Sequence, residues 1–318
     1  QRQMCIRDSA LSGGSQSGTS NTAVGESALA ANTTGANNQA FGRGALTANT
    51  TGGQNIAVGR LSLGANTSGP SNTSVGHTAL TANTTGGYNT AVGQQALQAN
   101  TTASASTAVG YQALYSNTVG GVEAFGYQAA YNNTTGGIDA FGYQAGFSNT
   151  TASNNTAVGY QAAYTNSTGT ELAAFGIQTL YGNTTGIRNV AVGGGDGSTY
   201  SATLSNNTSG SYNTGLGFGA LGSNTTASNN TAVGYQAGYT NSTGTQNTFI
   251  GYQAGQLTTG SYNCFVGTVA GSSTTGQLNS FIGYGAGTSV TSGSKNTILG
   301  AFSGNQGGLN ITTSSNYI

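Results

Sequence analysis

The chain has 318 residues, with six Lys or Arg, six Asp or Glu, a net charge of zero and 55 glycines. Charged residues make up 4% of it, against roughly 25% in an ordinary globular protein. A chain so neutral offers no basic patch for the phosphate neutralisation that nucleic-acid binding requires, and no apolar run reaches the roughly 18 residues of a membrane-spanning helix.

In chain order, Gln1-Arg2-Gln3-Met4-Cys5-Ile6-Arg7-Asp8-Ser9 shares nothing with the rest of the chain. Its Met-Cys-Ile-Arg-Asp-Ser run resembles the translation of a transposase mosaic-end adapter, so residues 1–9 are expected to be a sequencing scar and 10–20 a lead-in. With the scar set aside only Cys264 remains, and no disulfide framework is expected.

From Asn21 a single unit recurs, N-T-A-V-G-Y-Q-A-L-x-x-N-T-T-G-x-x. Its marker glycines run Gly25, Gly42, Gly59, Gly76, Gly93, Gly110, Gly126, Gly142, Gly159, Gly176 and Gly193, spaced 16 or 17 residues apart. They resume at Gly217, Gly234, Gly251, Gly267, Gly283 and Gly300. A helical repeat needs about 33 residues or more, so this period fits β coils. The expected fold is therefore all-β, a parallel β-solenoid of about seventeen coils of 16–17 residues, with arrays at 21–193 and 213–300. An insertion loop is expected at 194–212 and a truncated end at 301–318.

Within each coil two short strands are expected, A-V-G and Y-Q-A-L, joined by turns at the Gly and at Asn-Thr-Thr-Gly. Coil stacking then places Val24, Phe41, Val58, Val75, Val92, Val109, Phe125, Phe141 and Val158 in one inward apolar ladder. Asn32, Asn49, Asn66, Asn83, Asn100, Asn117, Asn133, Asn149, Asn166 and Asn183 form a second ladder at the turn. Because Ala157 and Val158 are consecutive and a strand alternates its faces, both faces are apolar; one suits the core and the other a partner chain. The alternative is that alanine, being small, simply sits on an exposed face.

Chemistry-bearing residues are sparse. His77 is the only histidine, no catalytic triad can be assembled by spacing, and no Cys/His cluster has metal-ligand spacing. Glu123 and Asp139 share a repeat position and would stack about 5 Å apart; they are the one candidate pair for a cation. Tyr111, Tyr127, Tyr143 and Tyr160 are candidate sugar-stacking residues, with a packing ladder as the plainer reading. Asn32, Asn49, Asn66, Asn83, Asn100, Asn149, Asn166, Asn183 and Asn224 head N-x-[ST] triplets, candidate glycosylation sites if the chain meets the transferase. No cofactor is expected.

The unit N-T-A-V-G-Y-Q-A, from Asn21 to about Gly300, resembles the head repeats of trimeric autotransporter adhesins and the repeat regions of phage and viral tail fibres. The resemblance implies a left-handed β-roll, three chains side by side, and a non-enzymatic extracellular, cell-surface or virion role in attachment to a receptor or glycan. An extracellular filament protein is the alternative, and an ice-binding solenoid using Thr50, Thr67, Thr84 and Thr101 a further one.

Overall fold

The computed structural model describes residues 4–5, 17–195, 202–306 and 309–316. Apart from Met4–Cys5, the expected scar at 1–9 and the first part of the lead-in lie outside the described residues, as do 196–201 of the expected insertion. The chain forms two compact units, Gln1–Ala152 and Ser153–Ile318.

Each unit is a parallel β-solenoid, and no helix occurs among the described residues. In the first unit β1 (Met4–Cys5) lies parallel to β2 (Thr22–Val24). There follow β3 (Gln39–Phe41), β4 (Ile56–Val58), β5 (Thr73–Val75), β6 (Thr90–Val92), β7 (Thr107–Val109), β8 (Glu123–Phe125) and β9 (Ile138–Phe141). The second unit holds β10 (Asn155–Val158), β11 (Ala173–Phe175), β12 (Val190–Val192), β13 (Thr214–Leu216) and β14 (Thr231–Val233). It continues with β15 (Thr248–Ile250), β16 (Cys264–Val266), β17 (Ser280–Ile282) and β18 (Thr297–Leu299). Register sets like on like: Ala23 faces Ala40 and Ala40 faces Ala57, just as Ala157 faces Ala174.

The strand orientation corrects the expected inward ladder. The middle residue points in: Ala23, Ala40, Ala57, Ser74, Ala91, Ala108, Ala124 and Ala140 are all 0% exposed. Val24, Val75, Val92, Val109 and Val158 are half-buried on the outer side, and Phe41, Val58, Phe125 and Phe141 are 37–39% exposed. The reason is the width of the coil. Opposite the strand stand the buried Ala and Leu of the Y-Q-A-L segment, as in Ala96 and Leu97, and their bulk leaves room only for a methyl group on the strand side. Alanine is therefore core, and the alternative that it sits on an exposed face is excluded.

Three later coils reverse this allocation. Phe249, Phe265 and Phe281 take the inward strand position and are fully buried, with Phe265 and Phe281 rings stacked 4.9 Å apart. In those coils Gly255, Gly271 and Gly287 stand where Leu stood, and a Cβ at any of them would collide with its phenyl ring. Bulk has moved from one wall to the other at roughly constant volume, as close packing demands.

The expected second strand is not one. Y-Q-A-L is a turn in which left-handed residues alternate with ordinary ones: Gln95 has φ 63° and Leu97 φ 50°, and Gln128 and Ala130 have φ 52° and 50°. Left-handed backbone costs a side-chain-bearing residue roughly 1–2 kcal/mol. Here the cost is offset because alternation lets successive N–H groups reach opposite neighbours. Gln95 N–H donates back to the His77 carbonyl at 3.0 Å, while Leu97 N–H donates forward to the Ala113 carbonyl at 3.0 Å. The marker glycines supply the sharpest corner; at Gly93, φ is +136° and a Cβ would overlap the Gly110 carbonyl.

The interruption is narrower than 194–212. Ala202-Thr203-Leu204 already re-enters the stack, with Leu204 N–H on the Ala220 carbonyl at 3.1 Å, and Asn207 rejoins the Asn ladder on Asn183 at 2.7 Å. At the other end β19 (Asn305–Gln306) and β20 (Leu309–Asn310) form an antiparallel pair. Ile311 beside it is buried, and Thr312 and Ser314 accept bonds from Thr291 and Asn296.

The exchange of Phe for Leu gives a direct test by denaturant unfolding. Gly271→Leu alone should destabilise by about 3 kcal/mol or more, from overpacking and a strained φ. Combining it with Phe265→Ala should recover most of that loss, because the pair then matches the Leu97 coil; additive losses would show that the two positions do not share one space.

Candidate ligand-binding surfaces

The structure has two buried polar ladders. In the first, Asn49 Nδ2 donates to Asn32 Oδ1 at 2.9 Å and to the Gly52 carbonyl at 3.0 Å, and Asn66 repeats this on Asn49 and Gly69. The second was not singled out in the sequence: Asn38 N–H donates to Asn21 Oδ1 at 2.9 Å and Asn55 N–H to Asn38 Oδ1 at 3.0 Å. Its signal was the Asn that opens each N-T-A-V. Where coils lose it, Val122, Ile138 and Leu172 take the place and are buried.

The candidate glycosylation sites are buried in this geometry. Asn32, Asn49, Asn66, Asn83, Asn100, Asn149, Asn166, Asn183 and Asn224 are at most 1% exposed. At Asn49, Asn66, Asn83, Asn100, Asn149, Asn183 and Asn224 both Nδ2 hydrogens are engaged, one on the preceding Asn and one on the turn carbonyl. An N-linked sugar replaces one of those hydrogens and needs open space, so it is incompatible with the folded coil. Asn-Thr is here a turn requirement.

Tyr111, Tyr127 and Tyr143 do form one column. Their ring centroids lie 5.1 and 5.0 Å apart with interplanar angles of 15° and 6°, and the rings are 37–43% exposed. Tyr127 is therefore covered on both faces by its neighbours. What such a column shows to solvent is ring edges and hydroxyls, whereas a sugar stacks on a ring face. Tyr160, in the second unit, is 46% exposed. A parallel stack runs Tyr115, Tyr131, Phe147, with centroids 5.0 and 5.2 Å apart. Burial, followed by the charges of Tyr115 and Tyr111, raises the Tyr131 phenol above its ordinary value.

Glu123 and Asp139 are direct register partners on the exposed side of β8 and β9. They are two ligands only, and among the described residues no group of three or more His, Cys, Asp or Glu could hold a metal. His77 is exposed and its Nε2 lies 2.8 Å from Arg60 Nη1; a guanidinium only donates, so this nitrogen is the acceptor of the contact. The Thr column is committed internally: Thr50, Thr67 and Thr84 hydroxyls donate to the carbonyls of Thr67, Thr84 and Thr101 at 3.0–3.1 Å.

The second apolar strand face expected from the sequence exists, but on the other side of the strand: it is the outward file of β2–β9 and, separately, of β10–β18. In the second unit it exposes Phe175, Leu216, Ile250 and Ile282 by 40–45%. Its residues are the Val, Phe, Leu or Ile before each marker Gly, of which those from Val24 to Val158 were expected in the inward ladder.

The ladder predicts an ordered substitution series at Asn66, read by thermal or denaturant unfolding. Asn66→Asp removes both donors and sets a carboxylate against Asn49 Oδ1 and the Gly69 carbonyl, so it should cost at least about 3 kcal/mol. Asn66→Thr should cost less, since Thr258 and Thr274 fill this column in later coils with their hydroxyls bonded. Equal losses would refute the ladder's role. No protein-family model, no curated protein and no solved structure matches this chain.

Proposed function

We propose that the chain is a non-enzymatic segment of a surface fibre or adhesin, a rigid repeat body that several copies build together and that attaches to a cell surface or glycan outside the cell. The observation that carries this reading is the outward apolar file. A parallel sheet is ordinarily covered on both faces, and here one face holds the Ala core while the other leaves Phe41, Val58, Phe125 and Phe141 open. A second and third copy would cover it. The near absence of charge fits a surface that acts by shape and repetition, and the stacked Asn and Thr bonds fit a body that must stay rigid.

An open-ended filament is the second reading, favoured by the same repetition. The ice-binding reading loses support because the Thr50, Thr67 and Thr84 hydroxyls are spent on the next coil.

Light scattering on the full chain separates the readings. A discrete trimer is expected, and Val58→Asp with Phe125→Asp should convert it to a folded monomer, because the buried charges would lack partners. Open-ended polymers would favour the filament, and a monomeric wild-type chain would overturn the proposal.

A further inference from the structure

Between residues 17 and 152 the only Lys or Arg residues are Arg43 and Arg60. The fold brings them together. The Glu26 carbonyl accepts from Gly44 N–H at 2.8 Å, the Arg43 carbonyl from Leu61 N–H at 3.0 Å, the Arg60 carbonyl from Thr78 N–H at 2.9 Å, and the His77 carbonyl from Gln95 N–H at 3.0 Å. Glu26, Arg43, Arg60 and His77 are thus successive rungs of one exposed column, separated by the coil pitch of about 4.8 Å. It is the same column that later carries Tyr111, Tyr127 and Tyr143.

Two guanidinium groups held at that spacing repel one another, and the Glu26 carboxylate one rung from Arg43 offsets them only in part, since it forms no ion pair with Arg43. Among the described residues the one ion pair is Arg188–Glu171, in the other unit. Arg60 meets His77 alone, and no hydrogen bond from a described residue engages the Arg43 guanidinium. Two residues before each cation stand the exposed Phe41 and Val58, with Gln39 and Ile56 outward before them. The cationic rank therefore runs along the stack beside the apolar rank of Phe41 and Val58, with Gln39 and Ile56 beyond it.

We infer that the cationic rank is a binding site for an anionic polysaccharide, one sulfate or carboxylate bridging Arg43 and Arg60 at the margin of the apolar file that the partner copies cover. Guanidinium forks match both anions bidentately. Two cations on a chain of zero net charge suit one or two anionic groups on a hydroxyl-rich polymer, and are too few for the counterion release that holds nucleic acid. The inference rests on the attachment reading and names its ligand chemistry.

The test uses the full chain with sparsely sulfated dextran, neutral dextran and anionic phospholipid vesicles, read by surface-immobilised binding. Sulfated dextran should bind, with affinity falling on the order of tenfold between 50 and 200 mM salt as expected for about two ionic contacts. R43Q combined with R60Q should lower that affinity at least tenfold without altering the melting curve, whereas R188Q, whose arginine is already paired, should leave it unchanged. Equal binding of neutral dextran, retention by the double variant, equal loss in R188Q, or preference for the vesicles would each overturn the assignment. If whole-cell attachment survived R43Q and R60Q, this site would fall and the attachment reading would stand; if attachment were absent in the wild type, the reverse would hold.

Discussion

Within each unit, the described interior coils find their backbone partners in the coils above and below them. A three-residue strand has too few contacts to be stable alone, and the turn after it includes residues in a backbone region that side chains ordinarily avoid. What holds both is the axial hydrogen-bond stack, in which Thr33, Thr50 and Thr67 N–H groups donate to Thr50, Thr67 and Thr84 carbonyls at 2.8–2.9 Å and the pattern repeats around the turn. Once coils stack in register, like residues must lie over like residues. The side chains then add their own columns: carboxamide on carboxamide, ring on ring, hydroxyl on carbonyl.

That constraint explains the composition. Charge is rare because a charged column would place like charges a coil apart; among the described residues that happens only in pairs, at Arg43 and Arg60 and at Glu123 and Asp139. Glycine is abundant because the corner after each strand needs a positive φ close to the next coil's carbonyl, as at Gly93. Asparagine is buried because its carboxamide carries both a donor and an acceptor and can pass hydrogen bonds along the axis without a break. The ladder does break in places: Asn100, Asn224 and Asn241 Oδ1 are buried without a partner, the first two although Asn117 and Asn241 follow in the next coil, the third where Thr258 replaces Asn.

Much of this was legible in the sequence. The marker glycines, the coil period and the turn asparagines could be read directly, because each is a local requirement repeated at fixed spacing. The facing of the strand could not be read by the size rule, which sends Val inward and Ala outward; the narrow coil inverts it. The clue was in the sequence nevertheless, since Phe249, Phe265 and Phe281 enter the strand centre just where Gly255, Gly271 and Gly287 replace Leu. The Y-Q-A-L turn was hidden for a different reason. Its sequence resembles a short strand, and only the alternation of φ, which closure of so short a coil imposes, makes it a turn. Among the candidate site residues, the Asn sequons and the Tyr column were in the expected columns, but burial and ring stacking changed what they can do.

The central claim, in-register stacking at a constant pitch, is tested most directly by nitroxide pairs along one exposed column, in a chain whose Cys5 and Cys264 are Ser. Labels at Gln54 and Tyr88, and at Gln54 and Ala105, bracket two and three coils. Electron-spin distances should rise in equal steps of about 4.8 Å per coil, giving backbone separations of roughly 10 and 14 Å. Separations that do not grow with coil number, or that exceed about 20 Å for either pair, would contradict the stack.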